Sequence, residues 1–189
     1  MVKKKSAHAS APAKKQAVKK TVKKPVAPAK TGRKPAGPAI GAKAPAFSMP
    51  VTPGGAVSSA SLKGKPYVLY FYPKDDTSGC TAEACGFRDA LPAFGRLGTK
   101  VIGVSRDSIA SHEKFIKKYK LTFPLASDES GKVCATFGAW VQKSMYGRAY
   151  MGIERSTFLI DGKGIVRAVW RKVSVPGHVD EVKKAVQNL

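Results

Sequence analysis

Apolar and polar residues follow one another along this chain with a changing period, and the changes mark out its elements. Short strands are expected at Phe47–Val51 and Ala56–Val57, with Gly54-Gly55 turning the chain between them. Ser59–Gly64 reads as one helical turn. Tyr67–Tyr72 is apolar with almost no alternation, as in a strand covered on both faces. Pro73 closes that strand, and a helix is expected from near Ser78 to about Ala90. Lys100–Val104 is another apolar, β-branched strand. Ser108–Tyr119 has a helical period, with Asp107 or Ser108 as N-cap and Ile109, Phe115, Ile116 and Tyr119 facing inward. Phe123–Leu125 reads as a short strand and Lys132–Phe137 as a short helix. Ser156–Ile160 and Ile165–Trp170, joined by Asp161-Gly162-Lys163-Gly164, carry a strong hairpin pattern. A last helix starting near Pro176 places Val179, Val182, Val186 and Leu189 on one face.

Two strands, a β-helix-β-helix-β run, a hairpin and a closing helix imply an α/β domain. Its mixed central sheet carries helices on both faces, a thioredoxin-like layout. The domain is expected to span residues 45–189, and no internal repeat appears.

Composition changes the picture ahead of that domain. Residues 1–45 hold thirteen Lys and Arg and no acidic residue, whereas the other 144 hold 21 basic and 12 acidic side chains. More than half of the net charge of +22 therefore sits in less than a quarter of the 189-residue chain. That segment is Lys, Ala, Pro and Val with few bulky apolar residues, too few to offset the entropy of ordering. Residues 1–44 are expected to be a disordered basic tail. Its lysine blocks, such as Lys3–Lys5 and Lys23–Lys24, suit salt-dependent, sequence-independent binding to nucleic acid, and a solvating tail with no partner is the alternative. Interleaved aromatics for base stacking are lacking. The basic start is not followed by an apolar stretch of the secretory kind, and a single Arg33 among repeated Pro does not match a mitochondrial presequence. Nothing nears the roughly 18 apolar residues of a membrane span. The expected location is cytoplasmic, with association to a nucleoid or nucleus through the tail.

Three cysteines, Cys80, Cys85 and Cys134, are too few and odd in number for a structural disulfide framework. A zinc site needs about four ligands, and His8, His112 and His178 show no ligand spacing with the cysteines. His112 and His178 read as exposed helix residues. Cys134, among Val133, Ala135 and Phe137, reads as core. Trp140, Met145, Tyr146, Tyr150 and Met151 form a cluster that reads as a loop packed over the core or as the rim of a substrate entrance. Cys80 is different. It follows a buried strand and a short polar loop, and falls in the first turn of the next helix. Unpaired amides and the helix dipole stabilise a thiolate there, and oxidation of a thiolate by peroxide gives a sulfenic acid. An inert buried thiol is the bland alternative.

Pro73-x3-Thr77-x2-Cys80 resembles the active-site motif of the peroxiredoxins, and Cys85 five residues on narrows the likeness to the peroxiredoxin Q / bacterioferritin comigratory protein group. The likeness extends through Val133-Cys134, Phe137–Trp140, Gly152–Arg155 and Thr157–Gly162, over roughly residues 45–189. It implies that Cys80 is the peroxidatic nucleophile and Cys85 the resolving cysteine. It implies further that Thr77 bridges thiolate and peroxide, that Arg155 holds the sulfur ionised, and that Pro73 shields it from water. By spacing alone Arg155 could equally pair with its neighbour Glu154 at the surface. Glu83 matches a position often Glu or Gln in the group, without a firm role. The implied substrates are hydrogen peroxide and organic hydroperoxides, the implied reductant is thioredoxin, and no metal, haem or flavin is needed. A monomer, or at most a weak dimer, is the expected state. Cα atoms five apart in a helix lie about 8–9 Å from each other, beyond the roughly 7 Å a disulfide tolerates. The helix must therefore unwind before Cys85 can reach Cys80. Two other classes compete: a dithiol oxidoreductase, which calls for C-x-x-C rather than C-x4-C, and a nucleic-acid-associated structural protein with a vestigial peroxidase domain.

Overall fold

The structure, a computed structural model, describes residues 37–145 and 147–189. The expected tail lies outside the described residues up to position 36. The elements are β1 (Ser48–Pro50), β2 (Ala56–Ser58), β3 (Tyr67–Phe71), α1 (Ser78–Arg96), β4 (Lys100–Ser105), α2 (Ile109–Tyr119) and β5 (Leu125–Ser127). They continue with α3 (Lys132–Thr136), β6 (Trp140–Met145), β7 (Arg148–Ile153), β8 (Ser156–Ile160), β9 (Val166–Arg171) and α4 (His178–Gln187).

Among the described residues, β5-β4-β3-β8-β9 form the central sheet. β3, β4 and β5 run parallel, and β8 is antiparallel to both β3 and β9. This is the mixed, thioredoxin-like arrangement that the element order implies. β3 is buried along its whole length because both of its faces are covered. Val68 and Tyr70 face a core built with Ala84, Phe87 and Phe94 of α1, Phe115 of α2 and Val182 and Val186 of α4. Tyr67, Leu69 and Phe71 face a second core with Phe47, Met49, Cys134, Phe137 and Phe158. At Gly103 of β4 a Cβ atom would lie 2.7 Å from both the Tyr70 hydroxyl oxygen and Leu125 Cδ2, so the missing side chain makes room for the Tyr70 ring.

Several expectations shift. Gly41 N–H donates to Val166 O, Val166 N–H to Ala42 O and Ala44 N–H to Gly164 O, at 2.8–2.9 Å. The domain boundary drawn at residue 44 therefore moves toward the N-terminus. Backbone pairing needs no bulky side chains, which is why composition did not register it. Ser59–Gly64 forms turns, not a helix. α1 runs on past Ala90 to Arg96 through Pro92. Burial of Phe94, whose ring centroid lies 6.0 Å from that of Phe87, offsets the cost of a helical proline. β5 begins at Leu125, two residues later than expected. β6 and β7 pair as an antiparallel hairpin where a loop was expected. Tyr150 and Met151 are exposed there, so those members of the aromatic cluster do not pack over the core. Trp140 packs at the core edge under the Arg106 guanidinium, 4.6 Å from its ring.

His178, expected at the surface, is buried at the start of α4. Its Nε2 lies 2.8 Å from the Thr157 hydroxyl oxygen, and its ring forms T-shaped pairs with Phe87 and Trp170. Burial, followed by the charge of Arg155, pulls its pKa down to about 4. A folded-state value below the unfolded one means that protons favour the unfolded chain. The stability held by neutral His178 is thus complete above about pH 6.5 and is lost as the pH falls toward 4. Urea unfolding at pH 7 and pH 4 should show His178→Gln losing less stability over that interval than the parent chain, by about 2 kcal/mol after allowance for solvent screening. Equal losses in the two proteins would remove His178 from this account.

Candidate active site

The strand register sets the site. Phe71 pairs with Ser156 of β8 and with Val104 of β4, and Val104 pairs with Ala126 of β5. The loop that leaves β3 therefore emerges at the same end of the sheet as the segment that enters β8. Arg155, the residue before Ser156, meets that loop and the start of α1.

Thr77 is the N-cap of α1, with extended backbone, and its hydroxyl donates to Lys74 O at 3.1 Å instead of capping the helix. The first closing helical bond runs from Thr81 N–H to Thr77 O at 2.8 Å. The N–H groups of Ser78, Gly79 and Cys80 thus precede the helical ladder and point toward the helix mouth. Cys80 is the third residue of α1 and only 2% exposed. Arg155 Nη2 donates to its Sγ at 3.3 Å. A Cβ on Gly79 would come within 3.3 Å of Arg155 Nη2, so the missing side chain leaves the guanidinium its room.

Arg155 does not pair with Glu154. Its Nη1 donates to Glu83 Oε2, and Glu83 is fully buried. Burial pushes the Glu83 carboxyl up to about 7, against the pull of Arg155 in the opposite direction. Burial also pulls the Arg155 guanidinium down, but the charges of Glu83 and Cys80 outweigh it and hold it above its usual value. Glu154 has its own cation: Arg171 Nε lies 2.9 Å from its Oε1, close enough for an ion pair but not aligned as a hydrogen bond. Arg171 also donates to Phe137 O and Gly138 O, which anchors the chain ahead of β6.

The expected site residues fall into two sets. Cys80 and Arg155 are in direct contact. Thr77 and Pro73 lie in the adjoining loop with exposed side chains. Cys85 is half-buried farther along α1, and all three cysteines are free thiols. Cys134 is buried in the core behind the sheet, its thiol pushed well up by burial.

By sequence, Glu83 is noted without a role and His112 reads as an exposed residue. Glu83 lies three residues after Cys80 and so shares its helix face, a spacing that could have marked it as the partner of a cation arriving there. His112, expected to be exposed, is wholly buried behind the loop and contacts Asp75. Nothing in its local pattern separates it from an outward-facing histidine. Among the described residues, no helix is long and apolar enough to cross a membrane.

The model of the AhpC/TSA family matches residues 40–169. Peroxiredoxin Bcp of Bacillus subtilis is 47% identical over 150 residues, which cover 79% of this chain and 96% of its own length. A solved PrxQ cysteine mutant of Xylella fastidiosa superposes with a TM-score of 0.76 at 37% identity, covering 80% of this chain and 96% of that one. The bacterioferritin comigratory protein of Xanthomonas campestris, studied for alkyl peroxide reduction in trapped intermediate and ligand complexes, gives a TM-score of 0.73 at 42% identity. That match covers 75% of this chain and 90% of the other. With the likeness running from the first strand into β9, the chain belongs to the AhpC/TSA family, in its Bcp/peroxiredoxin Q branch of thiol-dependent peroxidases.

Proposed function

We propose that the chain reduces hydrogen peroxide and organic hydroperoxides through a Cys80 sulfenic acid and a Cys80–Cys85 disulfide, and that thioredoxin returns it to the dithiol. The observation that carries the reading is the Arg155 guanidinium 3.3 Å from a buried Cys80 sulfur. In the first step the Cys80 thiolate attacks the terminal peroxide oxygen. The S–O bond forms as the O–O bond breaks, and the alkoxide or hydroxide leaves with a proton as alcohol or water. Arg155 steadies the thiolate and the charge that develops on the leaving oxygen. Thr77 bridges sulfur and peroxide, its hydroxyl exchanging the Lys74 carbonyl for the substrate, and Pro73 limits the approach of water. The alkyl peroxide reduction described for the Xanthomonas campestris relative supports organic hydroperoxides as substrates.

In the second step the Cys85 thiolate attacks the sulfenic sulfur, an S–S bond forms, and hydroxide leaves as water. α1 is continuous from Ser78 past Cys85, so this step requires its first turns to unwind. Gly86 marks a natural limit: a Cβ there would lie 3.1 Å from Val179 Cγ2, so α4 rests directly on α1 at this point. A thioredoxin dithiol then exchanges with the disulfide, delivers two electrons and two protons to it, and leaves as the thioredoxin disulfide.

The basic residues ahead of position 45 support a further role, tethering the peroxidase to DNA and so to a nucleoid or nucleus within an otherwise cytoplasmic distribution. The catalytic unit is taken as a monomer or weak dimer.

Peroxide consumption with thioredoxin and its reductase tests the cycle. Cys80→Ser should lose about a thousandfold or more of the activity. Cys85→Ser should keep a single turnover per chain while losing thioredoxin-driven cycling. Steady turnover by the Cys80 variant would end the reading. Amide exchange across Thr81–Cys85 should be slow in the dithiol form and fast in the disulfide form; equal protection in both would remove the unwinding step. For the tail, duplex DNA should bind the whole chain with affinity falling at least about tenfold from 50 to 200 mM salt. The same weak binding by a chain lacking residues 1–36 would count against the tether.

A further inference from the structure

Behind the loop that precedes Cys80 lies a buried polar cluster that the peroxidase chemistry above leaves without a task. Asp75 sits midway between Pro73 and Thr77, and its carboxylate is almost entirely buried. Oδ1 accepts from the Tyr72 hydroxyl at 2.7 Å, and Oδ2 accepts from the Ser111 hydroxyl at 2.7 Å. His112 Nδ1 lies 2.9 Å from Oδ2, while Nε2 lies 3.3 Å from Ala126 O. Both ring nitrogens thus face acceptors. The geometry is that of a buried, hydrogen-bonded Asp75–His112 pair. Burial pushes the Asp75 carboxyl up, but hydrogen bonds from His112 and Tyr72 outweigh this and hold it below the usual carboxylate range.

The same loop is held at two more points. Asp75 N–H donates to Asp107 Oδ2 at 2.9 Å, and Asp107 is itself fixed by the Ser105 hydroxyl at 2.7 Å. Asp76 adopts a left-handed backbone with φ of 55° and accepts from Lys118 at 2.7 Å and from the Tyr119 hydroxyl at 2.5 Å. Loop and α2 are therefore joined by successive carboxylates, one buried and one exposed.

We propose that Asp75 and His112 are a positioning pair that fixes the Pro73–Thr77 loop in the shape from which peroxide is presented to Cys80. Neither residue touches the sulfur or the substrate; they act through the loop that carries Thr77. The pair joins the loop that leaves β3 to α2 and β5, neither of which has to move when α1 unwinds. It gives the reaction a fixed wall opposite a mobile one. This inference rests on the peroxidase reading of Cys80 and adds residues to it.

The test compares two reactions of the same sulfur in a Cys85→Ser background. Oxidation by hydrogen peroxide depends on the loop, whereas alkylation by iodoacetamide needs the thiolate but no presentation of a peroxide. For Asp75→Asn and His112→Gln the ratio of peroxide rate to alkylation rate should fall about tenfold or more, the scale expected of a misplaced reactant. Simple destabilisation would leave that ratio in place. If either variant fails to fold, Tyr72→Phe, which deletes one hydroxyl and no charge, should lower the ratio about threefold. Ratios within twofold of the parent in the folded variants overturn the proposal. A parent chain whose Cys80 ignores peroxide but alkylates normally overturns the peroxidase reading instead.

Discussion

Arg155 brings a positive charge into a place where water hardly reaches, and among the described residues it is answered there by Glu83 and Cys80. A buried charge without partners costs several kcal/mol, so the two groups that answer it are constrained together. They lie three residues apart on α1 and therefore share a face, which fixes both the phase of that helix and the turn at which it must begin. Glu83 cannot ionise freely in this setting, since burial pushes its carboxyl up to about 7 while the guanidinium pulls it back. Sulfur and carboxylate thus share one cation. Whatever takes the sulfur out of contact with Arg155 leaves the guanidinium to Glu83 alone, which ties the chemical state of Cys80 to the fit of α1 against β8.

That arrangement depends on the sheet. The antiparallel entry of β8 beside β3 sets Arg155 across from the end of β3, and the parallel strands β4 and β5 deliver Asp107 and Ala126 to the same edge. A fully parallel sheet would carry the chain entering β8 to the opposite end. The one reversal of direction therefore has a chemical consequence, because it places a cation from late in the chain beside the Cys80 sulfur from early in it.

Most of this was legible in the residues, for identifiable reasons. β3, β4, α2 and the β8–β9 pair declare themselves because their burial is continuous or strictly periodic. Cys80 was legible because the loop and helix start that give it meaning are contiguous with it, and Arg155 through a resemblance spread along the chain. What stayed hidden depends on contacts between distant segments. The end of α1 is set by Phe94 finding a core, not by Pro92. The β6–β7 hairpin alternates poorly because little of it is buried. His112 and His178 look alike to any local reading, and each is buried by partners 14 to 40 residues away. Glu83 was visible as a residue but not as a charge, because its meaning comes from a side chain 72 positions further on.

The two halves of α1 differ in a way that suits one helix to two states. Its first turns contribute Cys80, Glu83 and Ala84 to the interior, small or polar groups whose removal exposes little apolar surface. Its later turns contribute Phe87 and Phe94, each burying on the order of 150–250 Å², or about 4–6 kcal/mol apiece at roughly 25 cal/mol per Å². Arg88 also ties the later part to α2 by donating to Tyr119 O at 2.6 Å. Unwinding that begins at the N-cap therefore exposes little apolar surface as far as Cys85, where the Glu83–Arg155 pair is its main cost, and meets a steep apolar rise at Phe87. A helix with its apolar weight at the front would hold the two sulfurs apart, and one without the phenylalanines would not return to the same place. In the proposed cycle, aromatic anchors placed just beyond Cys85 stop the opening where a Cys80–Cys85 disulfide needs it to stop.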